Sequence, residues 1–244
     1  MNKKAFEIQF NWIFVLVVGA AILLFFTVFV IKQKNISETS TKAAILKSLD
    51  AIITGVGVST DTINIIDIPN SEIGIDCNKI SVGKTSKQYQ NLILFAPSVV
   101  KGDKLITQTL DLSIPYRTTN LLYITSPQVR YIIIGNNEPL SKEINKSLPS
   151  DLNKEFYELP PAQPIRNNNN YKVKFVIVGR IVDATYLSNF QNMPDSDVVA
   201  IKIDGDNERG EIEFWQKNQA EWESKGRSYY IKKSSLIGAV YSDA

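Results

Sequence analysis

KVKFVIV, residues 172–178, is a short, β-branched, mostly apolar run, and its reading decides the fold class. Three other segments share its texture: YIIIG at 131–135, VVAIKI at 198–203 and EIEFW at 211–215. Runs of this length and composition read as strands, and those apolar on both alternating sets of positions read as strands buried on two faces. Between them lie helical stretches, Pro139 to Leu148 and Ala184 to Met193, with a further short helix expected over Gln216–Lys225. Strand–helix alternation predicts an α/β portion over residues 129–244, with Tyr131–Ile134, Phe175–Val178 and Val198–Ile201 sharing one mixed sheet. Pro160, Pro161, Pro164 and the run Asn167–Asn170 place a Pro/Asn-rich loop at 159–170. Ser235–Tyr241 reads as a last strand.

Upstream, residues 60–128 have a different rhythm. Thr62–Ile68, Glu72–Cys77, Lys79–Val82, Leu92–Phe95 and Leu105–Ser113 are short and alternating, separated by Pro69-Asn70, Gly83-Lys84 and Lys101-Gly-Asp103. They predict antiparallel strands and hairpins. Before them, Ala43, Ile45, Leu46, Leu49, Ile52 and Ile53 recur at helical spacing over residues 36–55. Ser37, Ser40 and Thr41 are available as N-caps, and Gly55 and Gly57 as the stop. The fold class is therefore mixed α/β (α+β), with this juxtamembrane helix following a membrane span.

The span is IFVLVVGAAILLFFTVFVI, Ile13 to Ile31, without charge or proline. At about 1.5 Å per residue it matches the roughly 30 Å hydrocarbon core. Trp12 closes one edge and Lys32 and Lys34 the other, which makes Trp12, Ile13, Ile31, Lys32 and Lys34 the anchor residues and the lipid bilayer a partner. Residues 1–12 form an N-terminal tail. A buried core helix would carry a polar stripe, and a cleaved signal peptide would be shorter, with a small-residue exit in place of Phe29-Val-Ile-Lys32. The lysines flanking the span lean slightly towards a cytoplasmic C-terminal portion, but a long following domain translocates regardless of charge. The reading is a signal anchor in the cell membrane with the bulk of the chain extracytoplasmic. The sequons Asn35-Ile-Ser37 and Asn145-Lys-Ser147 add little to it.

Composition narrows the chemistry. The 244 residues are 44% hydrophobic and 21% charged, which fits a packed core rather than disorder. Lys and Arg number 27 against 25 acids, a net +2, and the arginines are scattered, so no nucleic-acid footprint is drawn. The absence of histidine excludes Ser-His-Asp and Cys-His catalysis and histidine metal sites. Cys77 alone forms neither an internal disulfide nor a CxxC pair, and its place in a half-buried strand reads as inert.

Individual motifs fall short of cofactor or metal chemistry. Gly83-Lys84-Thr85 lacks the upstream glycine of a phosphate loop and reads as a hairpin turn. Asp204–Glu211 has Arg209 and Trp215 where a calcium loop needs glycine and glutamate, and reads as an acidic hairpin loop. Gly55-Val-Gly57 is no dinucleotide fingerprint. Gly135–Glu138 and Gly179–Asp183 stand where α/β folds place ligand loops, although turn and capping chemistry requires the same residues. Trp215, Trp222, Tyr229, Tyr230 and Tyr241 offer either a partner surface or ordinary packing. No catalytic residue, metal ligand or cofactor is assigned. The expectation is a membrane-anchored binding or structural protein, with a protein partner or homo-oligomer possible. The alternative is a tethered enzyme using carboxylates such as Asp183 and Asp204.

Phe10–Val15, Leu94-Phe-Ala-Pro97, Lys101-Gly102, Pro115-Tyr-Arg117 and Ile237-Gly-Ala-Val240 resemble segments of uncharacterised single-span proteins of DPANN archaea. That resemblance implies a surface-anchored α/β domain in an archaeal envelope, no established activity, and a chain running on past the last strand. Lys3-Lys4-Ala5 before Phe6 is similar to the cleavage region of archaeal type IV pilin precursors, which implies a processed surface-filament subunit. Gln9, Asn11 and Glu7 depart from that pattern.

Overall fold

Residues 3–56, 59, 61–77, 79–90, 92–113, 116–136, 138–161, 165, 170–180, 182–190, 196–203, 209–218, 221–230 and 232–243 are described by a computed structural model. The chain divides into two units, residues 1–44 and 45–244.

Helix α1 runs unbroken over Lys3–Val56. The tail expected at 1–12 is thus helical from residue 3, and the helices expected at 13–31 and 36–55 are one. No proline or glycine separates Ala20 from Thr54, and the hydroxyls of Thr27, Thr39 and Thr54 bond back to carbonyls four residues earlier at 2.8–2.9 Å. Polar side chains satisfied in this way remain inside a helix, so Ser37, Ser40 and Thr41 do not begin a new one.

In the second unit, six strands from residues 63–125 form the first sheet: β1 (Ile63–Asp76), β2 (Lys79–Val82), β3 (Thr85–Gln88), β4 (Ile93–Phe95), β5 (Val99–Ser113) and β6 (Arg117–Thr125). Their order is β3-β2-β1-β5-β6-β4. All pairings are antiparallel except β4 with β6, so this portion is not wholly antiparallel as expected. The two strands anticipated on either side of Pro69-Asn70 are one, with a register slip between Asp67 and Ser71. Proline has no N–H to give the ladder, and an irregularity accommodates it. Gly83, at φ 61°, turns β2 into β3 as a hairpin, as the sequence predicts. Ile45, Leu46 and Leu49 of α1 pack with Ile73, Ile80, Val100, Leu105 and Leu122 into one core.

The second sheet comprises β7 (Val129–Ile134), β8 (Asn153–Tyr157), β9 (Lys172–Val178), β10 (Ser196–Ile203), β11 (Gly210–Asn218) and β12 (Glu221–Tyr230), ordered β12-β11-β10-β9-β7-β8. Strands β10, β9, β7 and β8 are parallel, and the β10-β11-β12 edge is antiparallel. The shared mixed sheet predicted for 131–134, 175–178 and 198–201 is present. Helix α2 (Pro139–Ser147) connects β7 to β8. Between β9 and β10 lie a single turn, α3 (Ala184–Leu187), and a 3-10 turn, Ser188–Phe190, in place of a helix to Met193. Residues 191–195 lie outside the described set.

Two elements overturn the sequence reading. Ser235–Tyr241 is not a strand but most of helix α4 (Lys233–Tyr241), buried from Leu236 to Tyr241. A short apolar run carries no periodicity to separate a buried helix from a buried strand. Gly238 faces Phe95, where an added Cβ would come within 2.7 Å of the ring, so close helix-to-sheet contact explains that glycine. Gln216–Lys225, expected as a helix, instead forms the end of β11 and the start of β12, paired through Lys217↔Trp222. Pairing and burial of Trp222 outweigh the helical preference of its polar neighbours.

Tyr241 also centres an aromatic cluster, its ring 5.2 Å from Tyr123 and 5.9 Å from Tyr131. Every hydroxyl is partnered: Tyr123 donates to the Ser234 carbonyl (2.7 Å), Tyr241 to Gln108 Oε1 (3.0 Å), and the Tyr131 and Thr125 hydroxyls are hydrogen-bonded to each other (2.7 Å). Burial raises all three phenols above the ordinary value of 10. Above that pH the unfolded chain loses these protons while the folded chain keeps them, so the native state binds more protons and its stability falls as pH rises. Each tyrosine contributes about 1.4 kcal/mol of loss per pH unit beyond 10. Urea midpoints measured between pH 9 and 11 should fall steeply, with a shallower slope in Tyr241→Phe.

Candidate functional site

Four features could carry function. In the first unit, the helical residues 12–31 present an exposed apolar surface. Trp12 is 74% exposed, Ile13 62% and Ile31 55%, and Lys32 and Lys34 are exposed beyond them. The helix is long and apolar enough to cross a membrane.

The second feature is the carboxyl end of the parallel strands, where both loops singled out in the sequence come together. Asn136, at φ 44°, donates from Nδ2 to the Val178 carbonyl at 2.8 Å, and the Gly179 amide donates to the Ile201 carbonyl at 2.8 Å. Gly179 has φ 71°, and an added Cβ would collide with the Glu138 side chain. Both the conformation and the space therefore demand glycine. Beside these loops is a cavity of about 190 Å³ lined by Arg180, Lys202, Glu211, Glu213 and Arg227 among others. Three of its charges pair together, Arg227 with Glu213 at 3.2 Å and with Glu211 at 3.6 Å, and the Arg180 guanidinium stands 4.2 Å from the centre of the Tyr186 ring. Asp183 is exposed and accepts the Tyr186 amide at 2.7 Å, as a helix cap does. Asp204 lies outside the described residues, as does most of the acidic loop that β10 and β11 flank as a hairpin.

A larger cavity of about 530 Å³ lies between β5, the end of α2 and the start of α4. Lys232 and Lys233 stand among its lining residues with Asp61 and Asp111, and Gln108 is in its wall. Its volume suits a small ligand, and its lining offers charges of both signs.

The fourth feature was not anticipated. Lys172 and Lys174, two apart on β9, share one face with Asp197 of β10, and Asp243 reaches the same point from beyond α4. Lys172 Nζ is 2.8 Å from Asp197 Oδ2 and 2.6 Å from Asp243 Oδ1. Lys174 Nζ is 3.2 Å from Asp243 Oδ1 and 3.9 Å from Asp197 Oδ2, and it also donates to the Ser242 carbonyl. Ser98 donates its amide and hydroxyl to Asp243 Oδ2 at 2.8 and 2.6 Å. Side chains of Lys174 and Asp197 are 0% and 1% exposed. Burial pulls the Lys174 ammonium down against both carboxylates and pushes the Asp197 carboxyl up against both lysines. For Lys172, burial is outweighed by Asp197 and Asp243, which raise it; for Asp243, burial is outweighed by Lys174 and Lys172, which hold it far below the usual carboxylate range. A signal was available in KVKFVIV: alternate lysines in a strand buried on both faces require buried partners.

Cys77 is exposed just past β1 rather than half-buried within a strand, since β1 ends at Asp76, whose carboxylate accepts the Cys77 amide at 2.8 Å. The aromatic group divides: Trp222, Tyr230 and Tyr241 are buried, Trp215 is half-buried and Tyr229 is exposed. Among the described residues, no three of Cys, Asp and Glu are grouped to hold a metal ion. Compared with family models, with curated proteins and with solved structures, the chain matches none.

Proposed function

We propose that this protein is a single-pass, membrane-anchored binding or structural component of an archaeal cell envelope, its C-terminal portion outside. The observation that carries the anchor is the exposed apolar surface of residues 12–31. In water so large a contiguous patch is an aggregation site, whereas in a bilayer it is solvated. The binding role rests on the 530 Å³ cavity with its two lysines and two aspartates. Its partners are the bilayer and either a small ligand or another protein, since a net charge of +2 with scattered arginines draws no nucleic-acid footprint. Against the carboxylate-enzyme alternative stands the use of Asp183 as an exposed cap.

Sidedness is tested by protease on intact cells. Residues 167–169 lie outside the described residues, but the polar composition of the Asn167–Asn170 tract marks it for nicking. Cleavage releasing a fragment that begins near Tyr171 supports an external domain. Protection on cells with prompt cleavage in inverted vesicles reverses the assignment.

A pilin-like filament subunit is the second reading, favoured by the single unbroken helix Lys3–Val56 whose residues 45–49 pack on a sheet. N-terminal sequencing of protein from its native membrane decides it: a start at Phe6 supports the reading, and an intact Met1 excludes it.

A further inference from the structure

A buried group of two lysines and two aspartates is neutral in sum, yet it is a costly way to hold strands together. Desolvating four charges is repaid only where geometry and additional hydrogen bonds are complete. Here they are not: among the described residues, neither oxygen of Asp197 has a hydrogen-bond donor beyond the ammonium groups, and its Oδ1 has no partner. The four groups are, however, arranged for a reaction among themselves. Lys174 and Asp197 are register partners on adjacent parallel strands, so their side chains leave the sheet side by side. On the same face of the sheet, Tyr131 is the register partner of Lys174, and Val176 and Val199 follow the two residues along their strands, all three buried.

We propose that Lys174 and Asp197 condense into an intramolecular isopeptide bond, formed by the folded chain without any other enzyme, with Asp243 as proton shuttle and Lys172 as the polarising cation. In the buried site a proton passes from the Lys174 ammonium to the Asp197 carboxylate, leaving a neutral amine and a carboxylic acid. Burial lowers the Lys174 ammonium and raises the Asp197 carboxyl, which narrows the gap this exchange has to cross. The Lys174 nitrogen lone pair attacks Asp197 Cγ, forming the C–N bond and a tetrahedral oxyanion. Lys172, 2.8 Å from Asp197 Oδ2, stabilises that charge. Asp243, 3.2 Å from Lys174 Nζ, takes a proton from the nitrogen and returns it to the departing hydroxyl. The Asp197 C–O bond breaks and one water leaves. Amine plus acid becomes amide plus water, with no oxidant and no co-reactant. Ser98 fixes the Asp243 carboxylate through its other oxygen, so the shuttle is held in place.

The product ties β9 to β10 at their amino ends and closes the connection that carries α3. It also replaces two buried charges with one amide.

The test is the intact mass of the purified full chain, followed by tandem mass spectrometry of a digest. The expected result is a mass lower by one water and a branched peptide joining the segment holding Lys174 to that holding Asp197. Asp243→Asn should restore the full mass while circular dichroism stays that of the folded protein, and Lys174→Arg should restore it as well. A full mass in the folded wild-type chain overturns the proposal and leaves an ordinary ion-paired cluster. A water loss confined to one linear peptide, the signature of a succinimide, overturns it equally, as does a branch through Lys172.

Discussion

Replacing both Leu24 and Phe25 by arginine is expected to move the protein from the membrane pellet to the soluble or aggregated fraction on alkaline carbonate extraction. The Leu, Ile, Phe and Val side chains between Ile13 and Ile31 each favour insertion by about 0.3–0.6 kcal/mol, so the run as a whole favours it by several kcal/mol. An arginine at the centre of a span opposes insertion by about 2.5–3.5 kcal/mol, and two of them cancel most of that preference. Both positions are more than 60% exposed, and the packing lost is confined to the ring contacts of Phe25 with Phe26 and Phe29 on the same helix. Replacing the same pair by alanine should leave the protein in the pellet, which separates loss of hydrophobicity from loss of side-chain shape. Release of the alanine variant, or retention of the arginine variant, would contradict a lipid-embedded helix.

The second large effect belongs to Tyr241. Its side chain is fully buried among Tyr123, Tyr131 and the apolar face of the second sheet, and its hydroxyl supplies Gln108 Oε1. Tyr241→Ala removes a ring and leaves a cavity, a change that costs about 3–5 kcal/mol in comparable cores. It also orphans the Gln108 carbonyl, at about 1–3 kcal/mol. Tyr241→Phe keeps the ring and isolates the second cost. Equilibrium urea unfolding of the two variants should therefore separate packing from hydrogen bonding. The helix bearing Tyr241 also delivers Asp243 to the lysines, so the alanine variant should loosen the attachment of β9 to the chain's last residues. Equal losses in the two variants would place the whole contribution in the hydroxyl and contradict the packing account.

How much of this was legible beforehand depended on the range of the interactions involved. The strands at 131–134, 173–178 and 198–203 were readable because a run buried on two faces needs little but its own composition to declare itself. Glycines at 83 and 179 were readable as turns for a similar local reason, a backbone angle that other residues resist. Strands β6 and β8 escaped notice. Thr118, Thr119 and Asn120 dilute the pattern of one, and Asn153-Lys-Glu of the other, and each is a strand because a neighbour pairs with it. Helix α4 and the β11–β12 hairpin were misread for the same cause, since burial and pairing are supplied from elsewhere in the chain.

What the sequence determined alone was therefore local: an uncharged apolar helix long enough to span a bilayer, the alternation of strand and helix, and the exclusion of histidine-dependent chemistry. Each follows from backbone preference, side-chain polarity or the bare inventory of residues. Tertiary structure alone decided the buried lysine–aspartate cluster. Lys172 and Lys174 come from one strand, Asp197 from the next and Asp243 from beyond the last helix. No short-range pattern links them, because the low dielectric that couples their charges exists only after the sheet and α4 have closed over them.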